Sequence, residues 1–424
     1  MDKGKTANNV INIAIAGSIE TDTGQKTSTL VEQVNSIKKM DVIAFYNEDI
    51  EAAKSILKDA HLIKEFKYIN DIGKNRYSKA DKVYTDNLGT FFDIEDMDVV
   101  IVTEMNTKIA TEVICNSLNK GRNVINMNAI SEATLGYIAK KIANSNNVIY
   151  SVGAGDEPAV TLDLINFCYK LGLDIICAGK GKNNPLNIYS TPDDFIEKGR
   201  QINVNPQSIA SFVDGTKTML EMAILSNATG IPIDKTGMHG PKINVSDLAA
   251  TFNLKKKGGI LGSIPAIDYG IGNIAPGVFV VFTSKQKSII SELKYLKLGD
   301  GPNFVLFKPY HLGNIESPLS IYDVVLGNKP TLNVKGKFET MVIGRAKKDL
   351  IKGSFIDNVG GYTFSGLAVS YKEMIGKEYV PIGLVEGSRV KKDIKKDEII
   401  SFKNIEYDHY NIIFKLWSKQ IKLF

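Results

Sequence analysis

The chain has few cysteines and histidines, and this scarcity excludes several kinds of site. Its 424 residues include only three cysteines, Cys115, Cys168 and Cys177, and none of them stands in a Cys-x-x-Cys spacing. A sparse, odd cysteine count argues against a disulfide framework and predicts three buried thiols in a reducing cytoplasm. Neither His239 nor His311 has the spacing of a zinc ligand, such as His-Glu-x-x-His. We therefore expect a cytoplasmic protein that holds no structural or catalytic metal.

Long apolar runs and a strong charge excess are also missing. No apolar run approaches the roughly 18 residues of a membrane span, so none is expected. The net charge of +5 is too small and too dispersed to indicate nucleic-acid binding. The segment Tyr410–Phe424 is basic and apolar. We interpret it as a strand or helix that closes the last domain, with a membrane-surface helix as the alternative. The expected partner is therefore a small-molecule substrate.

Strand and helix patterns alternate through the first part of the chain. Six apolar stretches read as strands: Val10–Ala16, Asp41–Tyr46, Lys82–Thr85, Asp98–Thr103, Asn123–Met127 and Val148–Ser151. Helical patterns lie between them at Ser28–Lys38, Glu51–Asp59, Lys108–Asn119 and Glu132–Asn144. We interpret the polar stretch Lys67–Lys79 as an insertion or a long loop. Continuous apolar strands that alternate with helices predict an α/β fold with a doubly wound parallel sheet.

The pattern changes twice in the remainder of the chain. Residues 159–304 show longer helices and loops rich in glycine and proline, which indicates a second domain. After Lys335, short strands are predicted at Val342–Arg345, Gly383–Val385 and Glu398–Ser401, with Gly, Lys and Asp turns between them. These stretches predict a small β domain at the end of the chain.

The turn after the first strand lies where a dinucleotide pyrophosphate binds helix amides in this kind of sheet. The G-x-G-x-x-G spacing is absent, because Gly17 and Gly24 stand seven residues apart with Glu20 and Asp22 between them. Such carboxylates repel a pyrophosphate unless they point away from it. At the end of the second strand, Asn47-Glu-Asp offers an acidic group for ribose hydroxyls, which favours NAD over NADP. The alternative there is a solvated helix start.

The most informative stretch is Ser151–Ala159, where two glycines lie between a predicted strand and a predicted helix. The acidic pair Asp156 and Glu157 falls in the first turn of that helix. Ligands of open α/β sheets bind at strand ends, so this pair is placed for chemistry. The alternative is an ordinary helix start that Asp156 caps and that contains Pro158.

Three further segments carry candidate catalytic groups. Lys180 and Lys182 are predicted to lie in a loop after a strand, where they can hold an anionic group or donate a proton. Asp214 lies beside Lys217 in a segment that reads as a buried acid or as a plain Asp-Gly turn. His311 has the most loop-like setting of the four histidines, and His239 is the second choice.

Taken together, these segments resemble homoserine-dehydrogenase-like oxidoreductases that carry a C-terminal SAF domain. This group includes the 1-deoxy-D-xylulose 5-phosphate reductoisomerase-like enzymes. The resemblance rests on short motifs in order along the chain: Asn123–Asn128, Gly155–Pro158, Ala178–Pro185, Ser211–Lys217, Asn227–Gly230, Tyr295–Pro302, Pro309–Leu312, Pro318–Ser320, Ala346–Leu350, Pro381–Gly387 and Lys391–Asp393.

The resemblance implies four segments. These are a Rossmann-like dinucleotide-binding domain at 1–158, an α+β catalytic and dimerisation domain at 159–304, a return segment at 305–335 that packs on the first domain, and a β-clip-like SAF domain with the tail at 336–424. It also implies a homodimer and NADP or NAD as the cofactor.

The resemblance also assigns roles to the candidate residues. Lys180 or Lys182 would transfer a proton or hold an anion, Asp156 and Asp214 would orient the substrate, and His311 would line its pocket. The expected cofactor-binding residues are Gly17, Ser18, Gly24, Asn47, Thr103 and Asn128.

The expected reaction is hydride transfer to or from a small acidic or phosphorylated metabolite, with an NADPH-dependent reductoisomerase as the most concrete version. The sequence departs from the group in its altered glycine turn and at Ile130, which stands where the group usually has a carboxylate. The alternative is therefore a non-redox sugar- or anion-binding protein or enzyme with a degenerate dinucleotide site.

Overall fold

A computed structural model describes residues 10–21, 23–71, 78 and 81–424. Asp22 and most of the predicted insertion at 67–79 thus lie outside the described residues. The strands are β1 Ile11–Gly17, β2 Met40–Tyr46, β3 Phe66–Tyr68, β4 Lys82–Thr85, β5 Val99–Thr103, β6 Asn123–Asn126, β7 Tyr150–Val152, β8 Asp174–Lys182, β9 Ala266–Ile271, β10 Val278–Thr283, β11 Phe304–Lys308, β12 Thr340–Ala346, β13 Phe364–Ser370, β14 Arg389–Val390 and β15 Ile405–Glu406.

The α-helices are α1 Thr27–Asn35, α2 Ile50–Asp59, α3 Leu88–Asp93, α4 Thr107–Asn119, α5 Ala129–Ser145, α6 Glu157–Lys170, α7 Ile196–Ile202, α8 Pro206–Val213, α9 Thr216–Thr229, α10 Leu248–Thr251, α11 Lys287–Tyr295, α12 Ser317–Ile321, α13 Tyr371–Gly376, α14 Ile382–Val385 and α15 Ile412–Ile421. A π-type turn at Tyr322–Leu326 continues α12, and short 3-10 turns lie at Ile63–Glu65, Pro192–Phe195, Val245–Asp247, Lys255–Lys257 and Gly313–Glu316. None of the helices in the described part of the chain is long and apolar enough to cross a membrane.

The chain forms two compact units. Unit 1 comprises residues 1–155, 312–333 and 409–424, and unit 2 comprises residues 156–311 and 334–408. This division differs from the four predicted segments, because most of the predicted SAF segment lies in the same unit as the predicted catalytic domain.

Unit 1 contains a seven-stranded sheet in which all the strand pairs are parallel, in the order β3-β4-β2-β1-β5-β6-β7. Without the short β3, this is the 3-2-1-4-5-6 order of the Rossmann fold. The strands β1 and β5 are almost completely buried, as expected for a sheet with helices on both faces. The predicted doubly wound parallel sheet is therefore confirmed.

Two distant segments complete the core of unit 1. Ile321 and Val324, from the second segment, are buried in the apolar cluster that includes Ile13 and Leu30. The third segment supplies α15, which packs on α4 and α5 with Trp417 2% exposed. The tail is thus a helix, but it lies in unit 1 rather than closing the last predicted domain.

Unit 2 contains a four-stranded sheet in the order β11-β10-β8-β9, with β8 and β9 parallel and the other pairs antiparallel. β10 is buried on both faces, as its continuous apolar sequence predicts. β8 extends to Lys182, so the interpretation of Lys180 and Lys182 as loop residues is wrong. The reason is steric: a Cβ atom at Gly179 would lie 1.7 Å from the Asp268 carbonyl oxygen, so the glycine lets the neighbouring strand approach closely.

The remainder of unit 2 is built on the antiparallel pair β12-β13. The strand predicted at Val342–Arg345 lies within β12. The strand predicted at Gly383–Val385 is wrong, because this stretch belongs to the short helix α14. The stretch 398–401 contributes only single bridges, from Ile399 and Ser401. All three cysteines of the chain are buried and unpaired, as expected.

Candidate functional site

The carboxyl ends of β1, β2, β5 and β6 form one edge of the unit 1 sheet, which we call the cofactor edge. Gly17 ends β1, and a Cβ atom there would lie 1.9 Å from Thr103 Oγ1, so only glycine fits against the end of β5. The Ser18 hydroxyl donates to Glu104 Oε1 at 2.8 Å and accepts from the amide of Met105 at 3.0 Å. Four of the predicted cofactor residues, Gly17, Ser18, Asn47 and Thr103, therefore lie at or next to strand ends of this edge.

The turn between β1 and α1 is a short hairpin rather than a glycine-rich loop. The Thr21 amide donates to Gln25 O, and Gly24 lies in the turn with a φ of 72°. The carboxylate of Glu20 pairs with Lys26 at 2.8 Å. Because Lys26 directly precedes α1, its charge offsets that of Glu20 where a pyrophosphate binds in this fold.

Two asparagines of the cofactor edge bind neighbouring backbone. Asn47 Nδ2 donates to Gly17 O at 2.8 Å, and Asp49 caps α2 through the amides of Glu51 and Ala52. Asp49 is thus a helix cap, which was the alternative to its predicted role at the ribose. Asn128 caps α5 through the amide of Ser131 and donates to Glu104 O.

A buried network of hydrogen bonds holds the backbone of Asn128 in place. The Tyr150 hydroxyl donates to Glu132 Oε2 at 2.6 Å and accepts from Asn126 Nδ2 at 2.9 Å. Asn126 Oδ1 in turn accepts the amide of Asn128. Burial raises the pKa of Glu132 to about 7, against the opposing effect of the Tyr150 hydrogen bond.

Unit 2 contains a compact set of ionisable side chains, which we call the ionic cluster. Its members lie at the start of α6, on β8, on one face of α9 and in the segment that follows β11. They are Asp156, Glu157, Lys180, Lys217, Glu221 and His311. The sequence places them there because Asp156 and Glu157 begin α6, and because Lys217 and Glu221 are one helical turn apart in a completely buried helix.

Each member of the ionic cluster contacts the next. Lys217 Nζ lies 3.3 Å from Asp156 Oδ2 and 3.5 Å from Glu221 Oε1. Lys180 donates to both Glu221 and Glu157. His311 Nε2 lies 3.4 Å from Glu157 Oε1. The side chains of Asp156 and His311 are each 19% exposed, whereas those of Lys180, Lys217, Glu157 and Glu221 are 9% exposed or less.

Asp156 occupies the N-cap position of α6, but its side chain caps no amide. Its backbone carbonyl accepts from the amides of Ala159 and Val160, whereas its carboxylate pairs with Lys217. Oδ1 of Asp156 is buried and has no hydrogen-bond partner within the described part of the chain. The interpretation of Asp156 as an ordinary helix cap therefore does not account for its carboxylate.

The electrostatics of the ionic cluster distinguish its members. Burial raises the pKa of Asp156 against the opposing charge of Lys217. For Lys180, burial disfavours the ammonium, but Glu157 and Glu221 overcome this effect and raise its pKa. For Glu157, burial and Glu221 oppose the charge, but Lys180 lowers its pKa. Asp156 is thus an acid suited to exchange a proton, whereas Lys180 is held in its charged form.

The structure brings together only some of the predicted catalytic residues. Asp156, Lys180 and His311 belong to the ionic cluster. Lys182 does not contact a carboxylate of this cluster within ion-pair distance. Asp214 is 1% exposed and pairs with Lys347 at 2.8 Å, so it does not face a substrate.

Two members of the ionic cluster, Lys217 and Glu221, were missed as catalytic candidates, and Glu157 was placed for chemistry with Asp156 but was given no catalytic role. Glu157 was visible beside Asp156 in the sequence, and the Lys217–Glu221 spacing of four residues is an available signal. That Glu157 and Glu221 both pair with Lys180 depends on tertiary packing. His239, the second choice, instead pairs with Asp234 at 2.8 Å.

Three ligand atoms of Asp156, Glu157 and His311 lie within 4.8 Å of one another, which is close enough to hold a metal ion. However, Lys217 and Lys180 already pair with these two carboxylates. A divalent cation would have to displace or approach two ammonium groups, which electrostatic repulsion disfavours. The donor set alone therefore fits a metal, but the charges around it do not.

Residues 155–317 match the family model of the catalytic domain of oxidoreductase DRL. This stretch is therefore similar to an oxidoreductase catalytic domain. It contains every member of the ionic cluster. No curated protein matches the chain.

Several solved dehydrogenases are similar to the chain at low identity. A probable dehydrogenase from Thermotoga maritima is 10% identical, with 76% of this chain and 90% of that chain covered and a TM-score of 0.43. A myo-inositol dehydrogenase from Lactobacillus casei in complex with NAD(H) and myo-inositol is 14% identical, with coverages of 72% and 68% and a TM-score of 0.33. A myo-inositol dehydrogenase from Corynebacterium glutamicum is 11% identical, and the chain spans 65% of its length, with 65% of this chain covered and a TM-score of 0.34.

Proposed function

We propose that the chain is an NAD(P)-dependent oxidoreductase that acts on a hydroxyl or carbonyl group of a small acidic or phosphorylated metabolite. The observation that carries this proposal is the ionic cluster within the oxidoreductase catalytic domain. It presents a partly exposed acid, Asp156, whose carboxylate lies 3.3 Å from the buried ammonium of Lys217. The Rossmann strand order of unit 1 supports a dinucleotide as the cofactor.

The cofactor edge fits a dinucleotide in two respects: the residue at the end of β1 is small, and the acidic charge near it is paired with a basic one. Gly17 and Ser18 would lie beside the dinucleotide, and Lys26 would offset Glu20 near the pyrophosphate. When bound, the nicotinamide accepts or supplies the hydride. The remaining chemistry, which is proton transfer and orientation of the substrate, belongs to the protein's own side chains.

Asp156 and Lys217 would handle the reacting oxygen. During oxidation of an alcohol, the Asp156 carboxylate takes the hydroxyl proton while the hydride leaves the carbon, so that a carbonyl group forms. Lys217 stabilises the negative charge that develops on the oxygen. In the reverse direction, Asp156 returns the proton. This assignment replaces the predicted proton transfer by Lys180, whose ammonium is held between two carboxylates.

His311 would bind a second polar group of the substrate. Its Nε2 lies 3.4 Å from Glu157, which orients the ring, and its side chain remains 19% exposed. Lys180 and Glu221 position this pair and Lys217 from within the protein. They are positioning residues, because Lys180 is held between Glu157 and Glu221, and Glu221 pairs with both Lys180 and Lys217.

The identity of the substrate follows from the family resemblance rather than from these contacts. We infer that 1-deoxy-D-xylulose 5-phosphate or a similar sugar phosphate is the most concrete candidate, which implies a role in isoprenoid biosynthesis. A homoserine-dehydrogenase-like substrate is the second candidate. The SAF assignment of the C-terminal segment likewise remains part of this proposal.

Cofactor binding can be tested before any substrate is known. NADH and NADPH are titrated into the purified protein by calorimetry, and we expect a micromolar dissociation constant for at least one of them. If neither NADH nor NADPH bound, the result would favour the alternative, a non-redox sugar- or anion-binding protein with a degenerate dinucleotide site. The variant Ser18→Ala should weaken binding without unfolding the protein.

The catalytic assignment is tested by comparing variants on a panel of hydroxy acids and sugar phosphates. Asp156→Asn and Lys217→Met should each lower turnover by about 10²-fold or more, because each removes a proton-transfer or charge-stabilising group. The matched control is Lys198→Met, which removes an exposed lysine of α7. Turnover in Asp156→Asn equal to that of the control would refute the assignment.

We also propose that the chain forms a homodimer through unit 2. The strand β11 ends the four-stranded sheet, and four of its five residues are only half-buried. The adjoining helix α11 has no buried residue, and Tyr295 at its end is 79% exposed. Light scattering at micromolar concentration should report twice the mass of the chain, and a monomer would contradict this proposal.

A further inference from the structure

Unit 2 contains four lysines that are buried to at least 94%: Lys180, Lys182, Lys217 and Lys347. Three of them contact carboxylates within ion-pair distance, namely Lys180, Lys217 and Lys347. Lys182 is different. Its Nζ donates to Asn184 O at 2.9 Å and to Phe212 O at 2.7 Å, and no carboxylate of the described residues pairs with it.

Two backbone carbonyls do not satisfy a buried ammonium. The group has three protons to donate, and both of its acceptors are uncharged. Burial, followed by the nearby charge of Lys180, lowers the pKa of Lys182 to about 8, although Asp214 and Glu221 act in the opposite sense. Lys182 therefore has one donor available and too little negative charge in contact with it.

A purely structural role accounts for part of this geometry. Phe212 lies in the last turn of α8, and a cation there interacts favourably with the carbonyls of a helix C-terminus. That role does not need burial to 3% exposure, since a surface lysine reaches such carbonyls equally well. It also leaves the third proton without an acceptor.

The position of Lys182 on β8 relates it to the ionic cluster. Alternate residues of a strand point to the same face, so Lys180 and Lys182 share one face and their Cα atoms are roughly 7 Å apart. The residue after Lys182, Asn183, is exposed, so the chain reaches the surface directly after Lys182. A small molecule at the ionic cluster could therefore place a second group near Lys182.

We propose that Lys182 binds the anionic group, a carboxylate or phosphate, of the substrate whose hydroxyl or carbonyl group reacts at Asp156 and Lys217. This inference rests on the proposed function and gives it a substrate class: small metabolites in which an anionic group lies a few atoms from the reacting carbon. An anion at this position supplies both the missing acceptor and the missing charge.

The test uses inorganic sulfate, whose charge is constant between pH 6 and 10, with acetate as the carboxylate probe. Both are titrated into the whole protein by calorimetry. Lys182→Met should raise the dissociation constant for the preferred anion by about tenfold or more, because it removes a charge-assisted hydrogen bond. The control Lys352→Met removes an exposed lysine of unit 2 and should leave the affinity unchanged. Tighter binding of sulfate indicates a phosphate substrate, and tighter binding of acetate indicates a carboxylate.

A second measurement needs no variant. In the wild-type protein, acylation of lysines is followed by mass spectrometry with and without the anion. The anion should slow the modification of Lys182 at least fivefold and leave that of Lys352 unchanged. The affinity for sulfate should also fall as the pH rises through about 8.

Equal anion affinity in Lys182→Met and Lys352→Met, or no protection of Lys182 in the wild type, would overturn the inference and leave the helix-end role. These outcomes are separate from those of the proposed function. A protein that binds NAD(P)H but shows no Lys182-dependent anion binding refutes only the subsite. A protein that binds the anion through Lys182 but neither NADH nor NADPH refutes the proposed function.

Discussion

Charge balance among buried side chains governs the energetics of unit 2 at the scale of single residues. The ionic cluster and its neighbours contain four carboxylates and four lysines. The carboxylates are Asp156, Glu157, Asp214 and Glu221, and the lysines are Lys180, Lys182, Lys217 and Lys347. In such a set each ion depends on its partners, because an isolated buried charge is costly. Loss of one member should therefore cost more than the loss of its hydrogen bonds.

Lys180 is the member whose removal should cost the most. Lys180→Met leaves Glu157 and Glu221 without their shared ammonium, so the free energy of unfolding should fall by about 3–5 kcal/mol. Denaturation in urea measures this change, with Lys198→Met as the control within about 0.5 kcal/mol of wild type. Adding Glu221→Gln should recover part of the loss. If Lys180→Met lowered the free energy of unfolding by less than about 1 kcal/mol, the ions would not be coupled.

Glu132 should give unit 1 a pH-dependent stability. Its pKa is raised by burial from 4.5 to about 7, so the folded state retains the proton more strongly than the unfolded state. Its contribution to stability is complete below about pH 4.5 and is lost as the pH rises to about 7. Glu132→Gln keeps an acceptor for Tyr150 and should be more stable than wild type at pH 8, by up to about 3 kcal/mol. Thermal unfolding at pH 5 and pH 8 measures the difference, and an equal shift at both pH values would contradict this explanation.

At the scale of elements, β8 shows why the sequence misled us about the candidate site. Its glycines interrupt the apolar pattern, and the combination of Gly, Lys and Asn is typical of a loop. In the structure these glycines are needed because the neighbouring backbone approaches closely. The buried lysines therefore lie on a strand, where groups on α6, α8 and α9 accept their hydrogen bonds. Those partners lie far away in sequence, so no local pattern could indicate them.

The close contact of β8 can be tested at Gly181. A Cβ atom there would lie 2.4 Å from backbone atoms of Ile274 and Ala275, which cannot move aside as a side chain can. Gly181→Ala should lower the free energy of unfolding by about 1–3 kcal/mol, the usual cost of overpacking. The matched control is Gly376→Ala at the end of α13, where nothing lies within 4 Å of the added atom. The control should be neutral or slightly stabilising, by less than about 1 kcal/mol. Equal stabilities of the two variants would disprove the close approach.

The parallel sheet of unit 1 was predictable because its signal is local. β5 is almost entirely a run of apolar residues, β1 is apolar except at Asn12, and caps such as Asn128 and Asp49 precede the helices. The C-terminal part of unit 2 was harder to predict. α14 was taken for a strand because Gly383–Val385 is short and apolar, a pattern that does not distinguish a buried strand from a buried helical turn.

At the scale of the whole molecule, each unit is assembled from separate segments of the chain. In unit 1, the tail is attached through Gln420, whose side chain accepts from the Ile138 amide at 2.9 Å and donates to Thr134 O at 2.8 Å. Residues 134 and 138 of α5 are one helical turn apart, so this side chain inserts into the hydrogen-bond ladder of the helix.

Gln420 should therefore contribute strongly to the stability of unit 1. Gln420→Ala leaves two buried backbone groups of α5 without these partners and should cost about 2–4 kcal/mol. The control Lys422→Ala changes an exposed residue just beyond α15 and should have little effect. Both variants are compared by thermal unfolding. Closure of α5 on itself would reduce the loss, and a loss no larger than in Lys422→Ala would show that the insertion is not stabilising.

The three-part composition of unit 1 has a consequence for biosynthesis. Residues 1–155 emerge from the ribosome first, but α12 and α15 follow only after most of unit 2 has been translated. During this interval the surfaces of α4 and α5 that α15 later covers are open to water, and the core lacks Ile321 and Val324. The nascent chain would thus expose apolar surface throughout most of its synthesis, which is the state that chaperones bind.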